Sequence, residues 1–164
     1  MNYINKLFRK RHYLMVGSPC CGISSIIRII APKYIEPIPI MGFNYNRVKV
    51  NLFLNLTCFS TSGFKMCSLL RYFFQEITGM IFVIDSSDLD SIFIKQCLTR
   101  LFKEELLESQ KVLFLLNKMD LKTSKTMEQI IDELNIESLT REYKVVQINA
   151  LTGYGVKEGL KYLD

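Results

Sequence analysis

Short apolar stretches alternating with helical patterns organise this chain along its length. Residues 12–16 (HYLMV), 52–58 (LFLNLTC), 80–85 (MIFVID), 112–117 (VLFLLN) and 144–148 (KVVQI) are brief and rich in β-branched or aromatic side chains, which predicts strands. Three of them are nearly continuous apolar runs, as central parallel strands buried on both faces require. Residues 43–50 (FNYNRVKV) alternate instead and predict an edge strand antiparallel to 52–58. Helical patterns fall between them, at 24–30, 66–75, 88–107, 126–134 and 155–163. The longest carries Ile92, Leu98, Leu101 and Leu106 at helical spacing. Strands alternating with helices predict an α/β fold: a six-stranded, mostly parallel sheet with one antiparallel edge strand and helices on both faces. In such sheets ligands bind beyond the carboxyl ends of the strands.

A length of 164 residues fits one domain, taken as residues 12–164 behind an N-terminal segment 1–11. Hydrophobic residues make up 49%, yet no apolar run reaches the roughly 18 residues of a spanning helix. The net charge of +5 would suit an anionic lipid surface. No RNA-binding or helix-turn-helix signature accompanies it, so nucleic acid is not an expected partner. Five cysteines, an odd number without zinc-knuckle spacing, imply reduced and mostly buried thiols. The opening residues lack a signal-peptide core with a cleavage site, so the expected compartment is the cytoplasm.

Three strand ends carry chemistry. Gly17–Ser25 (GSPCCGISS) joins the first strand to the first helix. A working P-loop, G-x-x-x-x-G-K-[ST], cradles phosphates with backbone amides, reaches the outer phosphates with lysine and holds Mg²⁺ with the hydroxyl. Here Gly17, Gly22 and Ser24 stand at the right spacing, Ser25 follows, and Ile23 occupies the lysine position. An anion could still sit on the helix N-terminus. Losing the ammonium removes a charge-assisted contact of roughly 1.5–3 kcal/mol. At the end of 112–117 stands Asn117-Lys118-Met119-Asp120. A carboxylate at position 120 can accept from the two adjacent N–H donors of guanine, a pair adenine lacks. Asn117 can serve the guanine edge and tether the P-loop, and the Lys118 stem can cover the ring. After the last strand, Asn149-Ala150-Leu151-Thr152-Gly153 offers a small residue, Ala150, where a backbone N–H can approach a base carbonyl.

With these motifs in place, nearly the whole chain resembles the ADP-ribosylation factor (Arf) family of small GTPases. Pro39-Ile40-Met41-Gly42-Phe43-Asn44 is similar to the family's first switch, P-T-x-G-F-N. Residues 71–75 (RYFFQ) and 79–86 (GMIFVIDS) are similar to its second-switch helix and following strand, and 153–160 (GYGVKEGL) to its closing helix. The resemblance implies a P-loop small-GTPase fold and GTP or GDP as ligand. It implies nucleotide contacts from Gly17, Gly22, Ser24, Ser25, Asn117, Lys118, Asp120 and Ala150, with Ser24 the one retained side-chain ligand for Mg²⁺. The departures concentrate on the phosphate and metal parts. Ile40 stands for the switch threonine, Phe59 for the magnesium-linked aspartate, Ser62 for the phosphate-sensing glycine and Gly63 for the water-positioning glutamine. Phosphoryl transfer in this class depends on the lysine, the metal and water orientation. No catalytic residue is therefore assigned, magnesium binding is doubtful, and hydrolysis is expected to be slow or absent. Lys65 is read as a solvated surface lysine.

Of the family's aromatic effector trio, Phe43 and Phe73 remain and Cys58 replaces the tryptophan, so a protein effector or regulator is expected on that face. Residues 1–11 place Tyr3, Ile4, Leu7 and Phe8 on one helical face, a pattern that suits weak peripheral contact with an intracellular membrane and equally a helix docked on the protein's own sheet. Asn2 in place of glycine excludes N-myristoylation. The expected function is an Arf-like guanine-nucleotide-binding protein of vesicle and membrane traffic. The alternative is a nucleotide-free pseudo-GTPase that serves as an interaction scaffold.

Overall fold

The computed structural model describes residues 11–18, 20–31, 33, 44–50, 54–60, 75, 77–103, 110–138 and 142–163, without side-chain detail at 44–46, 59 and 60. These residues form β1 (Arg11–Gly17), α1 (Ile23–Ile30), β2 (Asn44–Lys49), β3 (Leu54–Ser60), β4 (Gly79–Asp85) and α2 (Ser91–Phe102). They continue through β5 (Lys111–Asn117), α3 (Met127–Leu134), a 3₁₀ turn (Ile136–Ser138), β6 (Tyr143–Gln147) and α4 (Val156–Lys161). The six strands make one sheet in the order β2-β3-β1-β4-β5-β6. β2 pairs antiparallel with β3, and every other pairing is parallel.

Continuous apolar runs build this centre because every position of a covered parallel strand meets a helix layer. All seven residues of β4 are buried. Leu14, Val16, Met80, Phe82, Val112, Phe114 and Leu116 face α2 and α3, where Ile94, Leu98, Leu101, Ile130 and Leu134 meet them. On the other face Tyr13, Met15, Leu56, Cys58, Ile81, Val83, Leu113 and Leu115 pack against Ile23, Ile26 and Ile27 of α1 and Val156 and Leu160 of α4. Cys58 is thus a core residue, fully buried, and presents no surface to an effector. Cys21, Cys58 and Cys97 are buried and in no disulfide, whereas Cys20 is exposed.

Local chemistry sets the boundaries. The long helix begins three residues later than the pattern 88–107 predicts, because Asp90 caps it by accepting from Phe93 N at 3.1 Å. Thr126 and Gln129 form a reciprocal capping box that starts α3. Arg11, placed with the N-terminal segment by its basic neighbours, opens β1 and donates from Nη1 to Leu163 O at 3.1 Å. Tyr13 Oη donates to the same carbonyl at 2.5 Å.

Candidate functional site

The carboxyl ends of β1, β4, β5 and β6 converge on three loops. The loop after β1 needs both of its glycines. A Cβ on Gly17 would lie 2.4 Å from Cys21 Sγ and 2.5 Å from Val83 O. Gly22 has φ +102°, and a Cβ there would lie 2.3 Å from Asn117 Nδ2. Between them Cys20 also takes a left-handed conformation, φ 58°. The loop turns on itself, with Cys21 N donating to Ser18 O at 3.2 Å. Ile23, at the lysine position, is 3% exposed and belongs to the core. An aliphatic side chain on the first turn of α1 gains by leaving the loop for the sheet. Ser24 and Ser25 follow on that turn, both half-buried. Burial pushes the Cys21 thiol up to about 12, so it stays neutral. The hydroxyls of Ser18 and Ser86, at the ends of β1 and β4, are buried without a hydrogen-bond partner.

Asn117 joins the loops. Its side chain is buried, Nδ2 donates to Cys21 O at 2.8 Å, and Oδ1 accepts from Ala150 N at 2.9 Å. One amide thereby ties the β1 loop to the β6 loop, the tether expected of it. The same geometry commits the Ala150 N–H, reserved by the sequence reading for a base carbonyl, to Asn117. Ala150 itself is buried against the core. The β6 loop is held from within: Asn149 Oδ1 accepts from Leu151 N at 2.9 Å and Thr152 N at 3.1 Å, and Gly153 N donates to Asn149 O at 2.8 Å. Asp120 is exposed, three residues beyond Asn117. Leu121 and Leu151 lie exposed in the same two loops.

Lys118 has φ 63°, left-handed for a non-glycine residue, and its Nζ meets Asp85 Oδ2 at 2.5 Å. Parallel register puts Asp85 opposite Asn117, so the last residue of β4 lies beside the first loop residue after β5. Ser87 adds two donors to Asp85 Oδ1, N at 3.0 Å and Oγ at 2.6 Å. Burial raises the Asp85 carboxyl, but the Lys118 ammonium and the Ser87 donors outweigh it and hold the group below its ordinary value. The bond to Asp85 raises Lys118 in turn, against its partial desolvation. Asp85 is the site residue that sequence reasoning missed. The available signal was an acidic residue closing an otherwise apolar strand.

The structure brings together Gly17, Gly22, Asn117, Lys118 and Ala150, with Ser24 and Ser25 on the adjoining helical turn and Asp120 on the loop that follows Lys118. Residues 1–10, Ile40, Phe43, Ser62, Gly63, Lys65, Cys67 and Phe73 lie outside the described residues, as does all of the expected helix 66–75 except Gln75. Phe59 lies on β3, its side chain likewise outside the description. Among the described residues no group of three or more His, Cys, Asp or Glu could hold a metal.

A glycine loop between the first strand and first helix, an N-K-x-D strand end and a small-residue loop after the last strand define a small GTPase. A sequence profile of the ADP-ribosylation factor family matches residues 1–164. The chain belongs to that family of GTP-binding proteins. It is also similar to the solved structure of the Arl6 BBS3 small GTPase from Trypanosoma brucei with a bound nucleotide analogue, GppNp. The TM-score is 0.78 and the identity 26%, over 94% of this chain and 95% of that one.

Proposed function

We propose that this protein is an Arf-like guanine-nucleotide-binding module that hydrolyses GTP very slowly or not at all and acts through protein partners in membrane traffic. The observation that carries the reading is the Asn117 bridge, which makes the β1 loop and the β6 loop one unit, with the exposed Asp120 three residues further along the chain. Lost catalysis rests on residues at the phosphate end: Ile23 lies in the core, and Gly63 stands where the family's glutamine orients water. For magnesium, Ser24 offers a single neutral hydroxyl, while Ile40 and Phe59 have no side-chain oxygen. Mg²⁺ demands near-octahedral oxygen coordination. This donor set does not fit it. Protein contact through Phe43 and Phe73, weak membrane contact through residues 1–11 and a cytoplasmic location complete the proposal.

The deciding experiment is to heat-denature the purified protein and identify any released nucleotide, then titrate fresh protein with guanine and adenine nucleotides. Guanine preference without protein-dependent phosphate release is expected. Equal affinity for ATP, or turnover at the level of an ordinary family member, defeats the proposal.

One observation favours a second reading, the scaffold that binds no nucleotide. The Asn117 amide, the Ala150 N–H and the Lys118 ammonium each have a partner within the chain. A site satisfied from within does not require a ligand to be stable. Absence of binding to every guanine nucleotide in those titrations would select this reading.

A further inference from the structure

We infer that this protein pairs with a second copy of itself through the outward faces of α2 and α3, with α2 of each protomer lying on α3 of the other. The surface belongs to the helix layer, not to the strand-end loops, and does not depend on the guanine reading. Both helices cover the same face of the sheet, since Ile94, Leu98 and Leu101 share one core with Ile130 and Leu134. Both also run in the same direction, each returning from the carboxyl end of one parallel strand to the amino end of the next. Their outward sides therefore stand next to each other on one wall of the molecule. A two-fold axis between α2 and α3, parallel to both, sets each helix opposite the other kind and makes the same contact twice.

The two halves of that wall carry opposite charge. On α2 the exposed stripe Ile92, Lys95, Gln96, Thr99, Arg100 and Lys103 lines a shallow groove of about 410 Å³, and the helix contains no acidic residue. On α3 and the turn after it Glu128, Asp132 and Glu137 are exposed, and α3 contains no basic residue. A solvated helix face ordinarily mixes the two signs. The helix dipole accounts for Arg100 in a last turn and Glu128 in a first turn, but for neither Lys95 nor Asp132. Arg100 and Lys103 stand three residues apart and Glu128 and Asp132 four, spacings at which like charges repel. Glu133 is already held by Lys125, and among the described residues none of these six charges joins an ion pair. An opposed helix of the other sign relieves both stripes at once. Ile92, 73% exposed at one end of the groove, is the apolar side chain that such a contact covers. The stripe is about 17 Å long, so the interface falls in the small, transient class below about 1,200 Å².

The test is sedimentation equilibrium of the full chain from about 10 µM to about 1 mM, at low salt and at about 0.5 M salt. The average mass should climb toward twice the monomer at low salt and fall back at high salt. Amide shifts of the isotope-labelled parent between dilute and concentrated samples should fall on residues 91–103 and 127–138; shifts confined to other residues overturn the inference without any variant. Reversing the basic stripe (Lys95→Glu, Arg100→Glu, Lys103→Glu) or the acidic one (Glu128→Lys, Asp132→Lys, Glu137→Lys) should weaken the dimer about tenfold or more. An equimolar mixture of the two variants should restore it. All six positions are exposed, so the circular dichroism melts should stay near the parent's. Lys122→Glu, Lys157→Glu, Lys161→Glu, which changes the net charge as much as the basic-stripe variant does, should dimerise like the parent. A parent that stays monomeric throughout, a dimer that survives either reversal, or a mixture that stays monomeric overturns the inference. For a monomeric parent, binding to phosphatidylserine vesicles that the basic-stripe variant loses gives α2 to a membrane instead. The same loss with a glutamate-rich peptide gives it to an acidic protein partner.

Discussion

The base end and the phosphate end of this site are built from the same sheet edge but are held together in different ways. At the base end a buried polar side chain, Asn117, satisfies two backbone groups from two loops, and a left-handed lysine is clamped by a buried aspartate. At the phosphate end the loop is shaped by two glycines and anchored by an isoleucine in the core. One end is organised by hydrogen bonds that a ligand's base could borrow, the other by packing that puts an isoleucine where a working P-loop has its lysine. The loop backbone can therefore outlast the loss of its lysine, because the glycines answer to Asn117 and Val83 rather than to a ligand.

The sharpest break of this contrast is Asn117→Ala. It leaves Cys21 O and Ala150 N without their buried partner and should cost on the order of 2–4 kcal/mol in chemical denaturation, with guanine binding abolished. A loss below about 1 kcal/mol would mean that the two loops are not joined through this amide. Gly22→Ala probes the contact from the opposite side. The left-handed conformation alone costs about 1–2 kcal/mol, and the added methyl must displace Asn117 Nδ2. Unchanged stability in a denaturation series would contradict the close approach.

Asp120→Asn separates ligand recognition from folding. An amide presents one acceptor and one donor where guanine offers two donors, so guanine affinity should fall about tenfold, with xanthine nucleotides gaining. The melting temperature should stay put, because Asp120 is exposed. Unchanged affinity for GDP would move the base elsewhere.

The ion pair between Asp85 and Lys118 gives a gentler, pH-dependent effect. The Asp85 carboxyl lies below its ordinary value in the folded chain. Its contribution is complete above the unfolded value of about 4 and is lost as pH falls through the folded one. Lys118 lies above its ordinary value, so its contribution is complete below about pH 10.4 and is lost as pH rises through the folded value. Asp85→Asn should flatten both limbs of denaturant midpoint against pH; limbs that match the parent's would remove the pair from the account. The smallest expected effect is that of magnesium: adding a chelator should change GDP affinity by less than about twofold, since one hydroxyl cannot retain the ion. A large drop would reveal an oxygen ligand outside the set named here and would restore the phosphate end as a working site.

The sheet was legible because MIFVID and VLFLLN are too apolar for any position other than its centre, and FNYNRVKV alternates as an edge strand must. The site was legible wherever function is written in adjacent residues, as in Asn117-Lys118-Met119-Asp120 and the two glycines of the first loop. Asp85 was not, since it stands 33 residues from Lys118 along the chain and meets it only through the register of β4 on β5. Nor was the internal use of the Ala150 amide, which depends on where Asn117 lies once both loops close.

The amino-acid sequence by itself determined the element order, the guanine-type motif and the absence of a lysine at position 23, because each is a matter of residue type at short spacing. The fate of the vacated lysine position, the pairing of Asp85 with Lys118 and the inward turn of the Ala150 N–H were decided by the tertiary structure. Each of these depends on which groups from distant strands arrive within hydrogen-bond or packing distance, and strand register and burial set that only when the sheet is assembled.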